Sequence, residues 1–128
     1  MRVRLGPGLR AEMLAHARSD LPCEACGLLG GRGDELLRFV PCRNALASPR
    51  RYEISPEEIL AAERRFADEG LELRGIFHSH PEGPARPSDT DLREAAYPKA
   101  VYLIAAPKED DLRAFRLTSG EVQEVRVE

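Results

Sequence analysis

A proline-rich stretch between two histidines and an aspartate constrains this chain more than any other feature. Residues 78–91 read His-Ser-His-Pro-Glu-Gly-Pro-Ala-Arg-Pro-Ser-Asp-Thr-Asp, with three prolines and a glycine in the ten residues between His80 and Asp91. Each proline removes an amide donor and fixes its own φ, so neither a continuous helix nor a central strand can cross the segment. It must be a loop. His78 and His80 sit at its entrance, at the end of an apolar run, and Asp91 sits at its exit. All three are potential metal ligands.

The 128 residues suffice for one compact domain with a core and are too few for two of ordinary size, so residues 1–128 are expected to form a single domain. About a third of the residues are charged, yet the net charge is only −3. Such a balance creates no basic field for nucleic acid or a membrane surface. The opening Met-Arg-Val-Arg-Leu-Gly-Pro-Gly lacks the apolar core of a signal peptide. No window approaches the roughly 18 consecutive apolar residues of a membrane span, so a cytoplasmic location is expected. Cys23, Cys26 and Cys42 are an odd count, which argues for reduced thiols over a secreted disulfide framework.

Along the chain, Leu9, Met13, Leu14 and Ala17 recur at helical spacing and predict a first helix over residues 8–19. Glu24 precedes a short apolar stretch closed by Gly30-Gly31 and Gly33-Asp34, which reads as a buried strand leading into a hairpin with Leu36–Val40. Pro41–Tyr52 is irregular and predicts a loop, with room for a short strand at its end. Ser55-Pro56-Glu57-Glu58 predicts a capping box opening a central helix, with Ile59, Leu60, Ala62 and Phe66 as its buried stripe and Gly70 as its stop. Leu71–His80 and Val101–Ala106 read as strands, the second apolar on both faces, with a short third helix over Ser88–Ala96 between them. Leu112–Leu117 and Val122–Val127 alternate around Ser119-Gly120 and predict a closing hairpin at one edge. The expected fold is α/β, a mixed sheet flanked by about three helices.

Side chains two apart on a strand share a face, so His78 and His80 project together while Ser79 points the other way. Two imidazoles and one carboxylate are a zinc-type ligand set, and three protein ligands leave a fourth tetrahedral position open, as in catalytic sites. The bland alternatives have weight. A His-x-His in a strand is usually incidental. Ser88-Asp89-Thr90-Asp91 is also a capping box that could occupy Asp91 with backbone, and Glu24 alone would read as a solvated turn carboxylate. The combination of His-x-His-Pro, a proline-rich return loop and a carboxylate at fixed offset favours the metal site.

His78-Ser-His80-Pro81, the ten residues to Asp91, and Ser88 three before it resemble the His-x-His-x10-Asp signature of the JAMM metalloproteases, the catalytically competent MPN domains. Glu24, within Pro-Cys-Glu-Ala-Cys-Gly-Leu-Leu-Gly-Gly, is similar in context to that family's upstream glutamate. The resemblance covers nearly the whole chain and implies an MPN-like, cytidine-deaminase-like architecture. It also implies a zinc-dependent isopeptidase or peptidase acting after the Gly-Gly tail of a ubiquitin-like or sulfur-carrier protein. Carried over by position, His78, His80 and Asp91 would hold one Zn2+, Glu24 would be the general base and acid, and Ser88 would stabilise the oxyanion. Pro41–Tyr52 and Glu82–Pro87 are the expected substrate-contacting segments.

Other readings use some of the same residues. Pro22-Cys23-Glu24-Ala25-Cys26 matches half of the zinc-deaminase signature, but the required His-x-Glu is missing, since His16 opens His-Ala-Arg. Cys23 and Cys26 are therefore expected to be small, half-buried residues around the Glu24 strand. A non-catalytic MPN-like scaffold and a zinc hydrolase of small amides are the remaining alternatives to the protein peptidase.

Overall fold

The computed structural model describes every residue from Met1 to Glu128. Seven strands and three α-helices follow the order β1 (Arg2–Leu5), α1 (Leu9–Ser19), β2 (Cys26–Arg32), β3 (Glu35–Cys42), α2 (Pro56–Asp68), β4 (Glu72–Ser79), α3 (Asp89–Glu94), β5 (Val101–Ala106), β6 (Asp111–Thr118) and β7 (Glu121–Val127). The sheet order is β1-β3-β2-β4-β5-β6-β7, and β1 pairs in parallel with both β3 and β7, so the sheet closes on itself. The predicted mixed α/β fold with three helices is what forms.

Alternation along the central strands divides the core between two faces. Leu29, Phe77, Leu103 and Ala105 turn toward α1, which contributes Leu9, Met13, Leu14 and Ala17. Leu28, Ile76, Tyr102 and Ile104 turn the other way, toward Ala62 and Phe66 of α2. Gly30 lets α2 approach, because a Cβ there would stand 2.5 Å from the Phe66 ring. His78 is two residues after Ile76 and therefore lies on the α2 face, where only residues following Ile76 in phase can reach it.

Several local expectations need correction. Gly30 and Gly31 lie inside β2, at a bulge, and the hairpin turn is Gly33-Asp34 alone. Pro41 and Cys42 finish β3, and no strand forms at the end of the Pro41–Tyr52 loop. At the start of α2, Ser55 Oγ accepts from the Glu58 amide at 3.2 Å, but the Glu58 carboxylate accepts from the Arg43 amide and does not close the box. That carboxylate anchors the loop instead. Leu60 is 49% exposed, since α2 touches the sheet along a narrow seam centred on Ala62 and Phe66. The final hairpin is not an edge, because β7 pairs with the unanticipated β1.

Candidate metal and acid–base site

The register of β2 and β4 assembles the centre. Cys26 lies opposite His78, and the antiparallel pairing continues one step further: the Ser79 amide donates to Ala25 O at 3.0 Å, and the Ala25 amide donates to Ser79 Oγ at 2.8 Å. Ser79 points away from the histidines, as strand geometry predicts, and its fully buried side chain ties the two strands together. Extending this register by one residue sets Glu24 against His80. A glutamate more than fifty positions earlier is thereby delivered to the motif.

Three potential ligand atoms converge. His78 Nε2 is 3.2 Å from His80 Nε2, and each is 3.1 Å from Asp91 Oδ2. Tetrahedral zinc with bonds of about 2.0–2.1 Å spaces its ligand atoms by about 3.3 Å, so this near-equilateral triangle is one face of such a tetrahedron. His80 Nδ1 lies 2.8 Å from Pro84 O. A carbonyl only accepts, so Nδ1 carries the proton and the Nε2 lone pair is left for an ion, an orientation typical of metal-ligating histidines. Tyr52 stacks on His78 with ring centroids 4.5 Å apart and fixes that ring in turn. The residues present fit zinc.

Asp91 closes the helix cap and faces the two histidines with the same oxygen. The Ser88 amide donates to Asp91 Oδ2 at 2.9 Å while the Asp91 amide donates to Ser88 Oγ at 3.1 Å, a complete capping box. The same Oδ2 is the atom facing both imidazoles, because an ionised carboxylate oxygen has lone pairs for several partners. Burial opposes its charge, but the contacts to His78 and His80 prevail and hold it well below the usual carboxylate range. Burial lowers His78, whereas for His80 the Asp91 and Pro84 contacts outweigh burial and raise it.

Glu24 is 4% exposed, and its Oε1 is buried with no hydrogen-bond partner. Burial raises its carboxyl to about 8, with His80 pulling down and Asp91 pushing up more weakly. In the metal-free protein, folded Glu24 therefore keeps a proton that the unfolded chain releases between about pH 4.5 and 8, so stability must fall as pH rises through that window. Metal-free wild type and Glu24→Gln should match near pH 4.5 and diverge above it, wild type losing up to about 1.4 kcal/mol per pH unit. Denaturant titrations of both proteins at several pH values check this. Parallel curves would contradict it.

Asn44 carried no signal in the sequence, yet it positions Glu24. Buried at 6% exposure, its Nδ2 donates to Glu24 O at 3.0 Å and Arg51 O at 2.9 Å, while its Oδ1 accepts from the amides of Leu46 and Glu53. One amide side chain thus stitches the Pro41–Tyr52 loop to the glutamate. Tyr102 does the same for α3, which buries no residue of its own: the Tyr102 hydroxyl accepts from the amides of Ala96 and Tyr97 at 3.2 and 3.1 Å. Cys23 is half-buried, Cys26 and Cys42 are buried, and all three are free thiols. Burial pushes Cys26 up to about 12, leaving it a small apolar residue without ligand character.

Two grooves of opposite character meet at the centre. One, of about 300 Å³, is mainly apolar and is lined by Leu46, Tyr52, Ile54, Ile59, Tyr97 and Asp91 among others. The other is polar and is lined by Glu24, Arg50, His80, Glu82, Arg86 and Ser88, with five prolines in its walls. The Pro41–Tyr52 loop contributes to both, and the Glu82–Pro87 loop forms one wall of the second.

Comparison with known proteins gives a family and close structural neighbours. Residues 7–118 match the prokaryotic homologs of the JAB domain. The desampylase of Haloferax volcanii is 36% identical over 133 residues, spanning 98% of this chain and 95% of that protein. The CysO-cysteine peptidase of Mycobacterium tuberculosis is 38% identical over 117 residues, spanning 88% and 80%. Among solved structures, a protein of Desulfitobacterium hafniense superposes with a TM-score of 0.89 at 40% identity, covering 98% and 91% of the two chains. A JAB1/MPN domain protein of Archaeoglobus fulgidus shares the fold, with a TM-score of 0.63 at 23% identity over 99% and 98%.

Proposed function

The chain belongs to the family of prokaryotic homologs of the JAB domain, and from that membership we propose that it is a zinc-dependent peptidase or isopeptidase. Its proposed substrate is a ubiquitin-like or sulfur-carrier protein, cut after the C-terminal Gly-Gly. The observation that carries the reading is the convergence of His78 Nε2, His80 Nε2 and Asp91 Oδ2 beside a buried, unpartnered Glu24 carboxyl. The relatives named desampylase and CysO-cysteine peptidase support a protein substrate over a small amide.

When bound by His78, His80 and Asp91, zinc would polarise a carbonyl and lower the pKa of water toward about 7. The chain's own groups do the rest. Glu24 takes the proton of the attacking water and returns it to the departing amine, a contribution typically of about 10²–10⁴ in rate. Ser88 Oγ accepts from the Asp91 amide through a lone pair, which leaves its hydrogen free to donate to the developing oxyanion. A well-placed donor of this kind contributes about 3–4 kcal/mol.

The tail would enter extended through the apolar groove, between the Pro41–Tyr52 loop and the end of α3, with its glycines passing beside Asp91. Replacing the substrate's terminal glycines with leucine should then reduce kcat/KM by at least about tenfold, the cost of a few kcal/mol of steric clash being larger still. Steady-state cleavage of the two substrates measures the ratio. Equal rates would remove this passage.

A further inference from the structure

The two grooves also bear on what leaves, provided Glu24 is the acid–base group proposed above. A departing amine must come within about 2.6–3.2 Å of the group that protonates it. Glu24 lines the polar groove and not the apolar one, so the leaving group occupies the polar groove. Its titratable lining consists of Glu24, Arg50, His80, Glu82 and Arg86. Glu82 is already neutralised by Lys108 Nζ at 2.6 Å. Glu24 is buried and is itself the proposed acid–base group.

Arg50 and Arg86 are different. Their backbone amides are used, by Ser48 Oγ and Pro84 O, but neither guanidinium has an ion-pair or hydrogen-bond partner. Nearby Arg51, by contrast, is committed to Glu94 at 2.6 Å. Both free arginines are also backed by rigid chain, Arg50 following Pro49 and Arg86 preceding Pro87, where φ and ψ are restricted. The polar groove thus presents two unengaged cations on stiff supports beside the group that protonates the amine. Guanidinium forks match carboxylates in geometry and charge.

We propose that Arg50 and Arg86 form a carboxylate subsite that reads the α-carboxylate of an amino acid leaving through its α-amine. The preferred substrate is then a ubiquitin-like tail carrying a single C-terminal amino acid. A lysine isopeptide departs through Nζ on a four-carbon arm, and its α-carbon bears a peptide carbonyl, so it offers the subsite no anion.

The test uses zinc-loaded protein and a ubiquitin-like protein ending in Gly-Gly joined to alanine as the free acid, to alanine carboxamide, or to a lysine side chain of a second protein. Wild type should cleave the acid with a kcat/KM about 10–100-fold above the carboxamide, mainly through KM, as expected for charge-assisted contacts. In R50Q/R86Q, with zinc content and melting temperature checked against wild type, that ratio should fall close to one. A wild-type ratio near one, or a preference that survives in R50Q/R86Q, overturns the subsite while leaving the peptidase standing. Cleavage of none of the three conjugates overturns both.

Discussion

His80→Ala is expected to abolish metal binding and activity together. In the proposed centre His80 supplies one of three ligand atoms, and its Nε2 stands 3.2 Å from His78 Nε2 and 3.1 Å from Asp91 Oδ2. Two remaining ligands cannot hold zinc against solvent at neutral pH, and loss of the ion removes both carbonyl polarisation and water activation, so kcat/KM should drop by more than about 10³. The fold should survive, because His80 is only partly buried and lies just beyond β4. Elemental analysis beside a cleavage assay reads both effects. A variant that keeps one zinc per chain would mean that His80 is not a ligand.

The second large effect separates chemistry from binding. Glu24→Gln keeps the shape of the side chain and lies outside the ligand triangle, so it should retain zinc while kcat falls by about 10²–10⁴. KM should change little, since the proposed role of Glu24 is on protons and not on the substrate's tail. Loss of zinc with loss of activity would place Glu24 among the ligands instead, and full activity would remove it from the reaction.

What the sequence revealed and what it hid follow from the range of the interactions involved. His78 and His80 could be placed on one face because strand periodicity is a local property, and the prolines after them could only mean a loop. The capping box at Ser88 was equally local; only the three-dimensional arrangement shows that Asp91 Oδ2 serves the cap and faces the histidines at once. Glu24 stands out only through resemblance, because its delivery depends on a β2–β4 register that no pattern near residue 24 encodes. Asn44 was invisible, because its role consists of partners at Glu24, Leu46, Arg51 and Glu53 and not of any motif of its own. Strand β1 is hidden for a similar reason: four residues with weak alternation become a strand only when β3 and β7 flank them. Glu58 shows the converse, a strong local signal diverted to the Arg43 amide by a tertiary contact.

The proposed zinc binding, acid–base role of Glu24 and substrate class meet in the position of the cut. The most direct measurement is therefore the intact mass of the products when the zinc-loaded chain meets a ubiquitin-like protein fused after its Gly-Gly to a short extension. The expected product pattern is a single hydrolytic cut after the second glycine, lost on chelation and restored by zinc. An uncut fusion in the presence of zinc, or a cut at another bond, would contradict it.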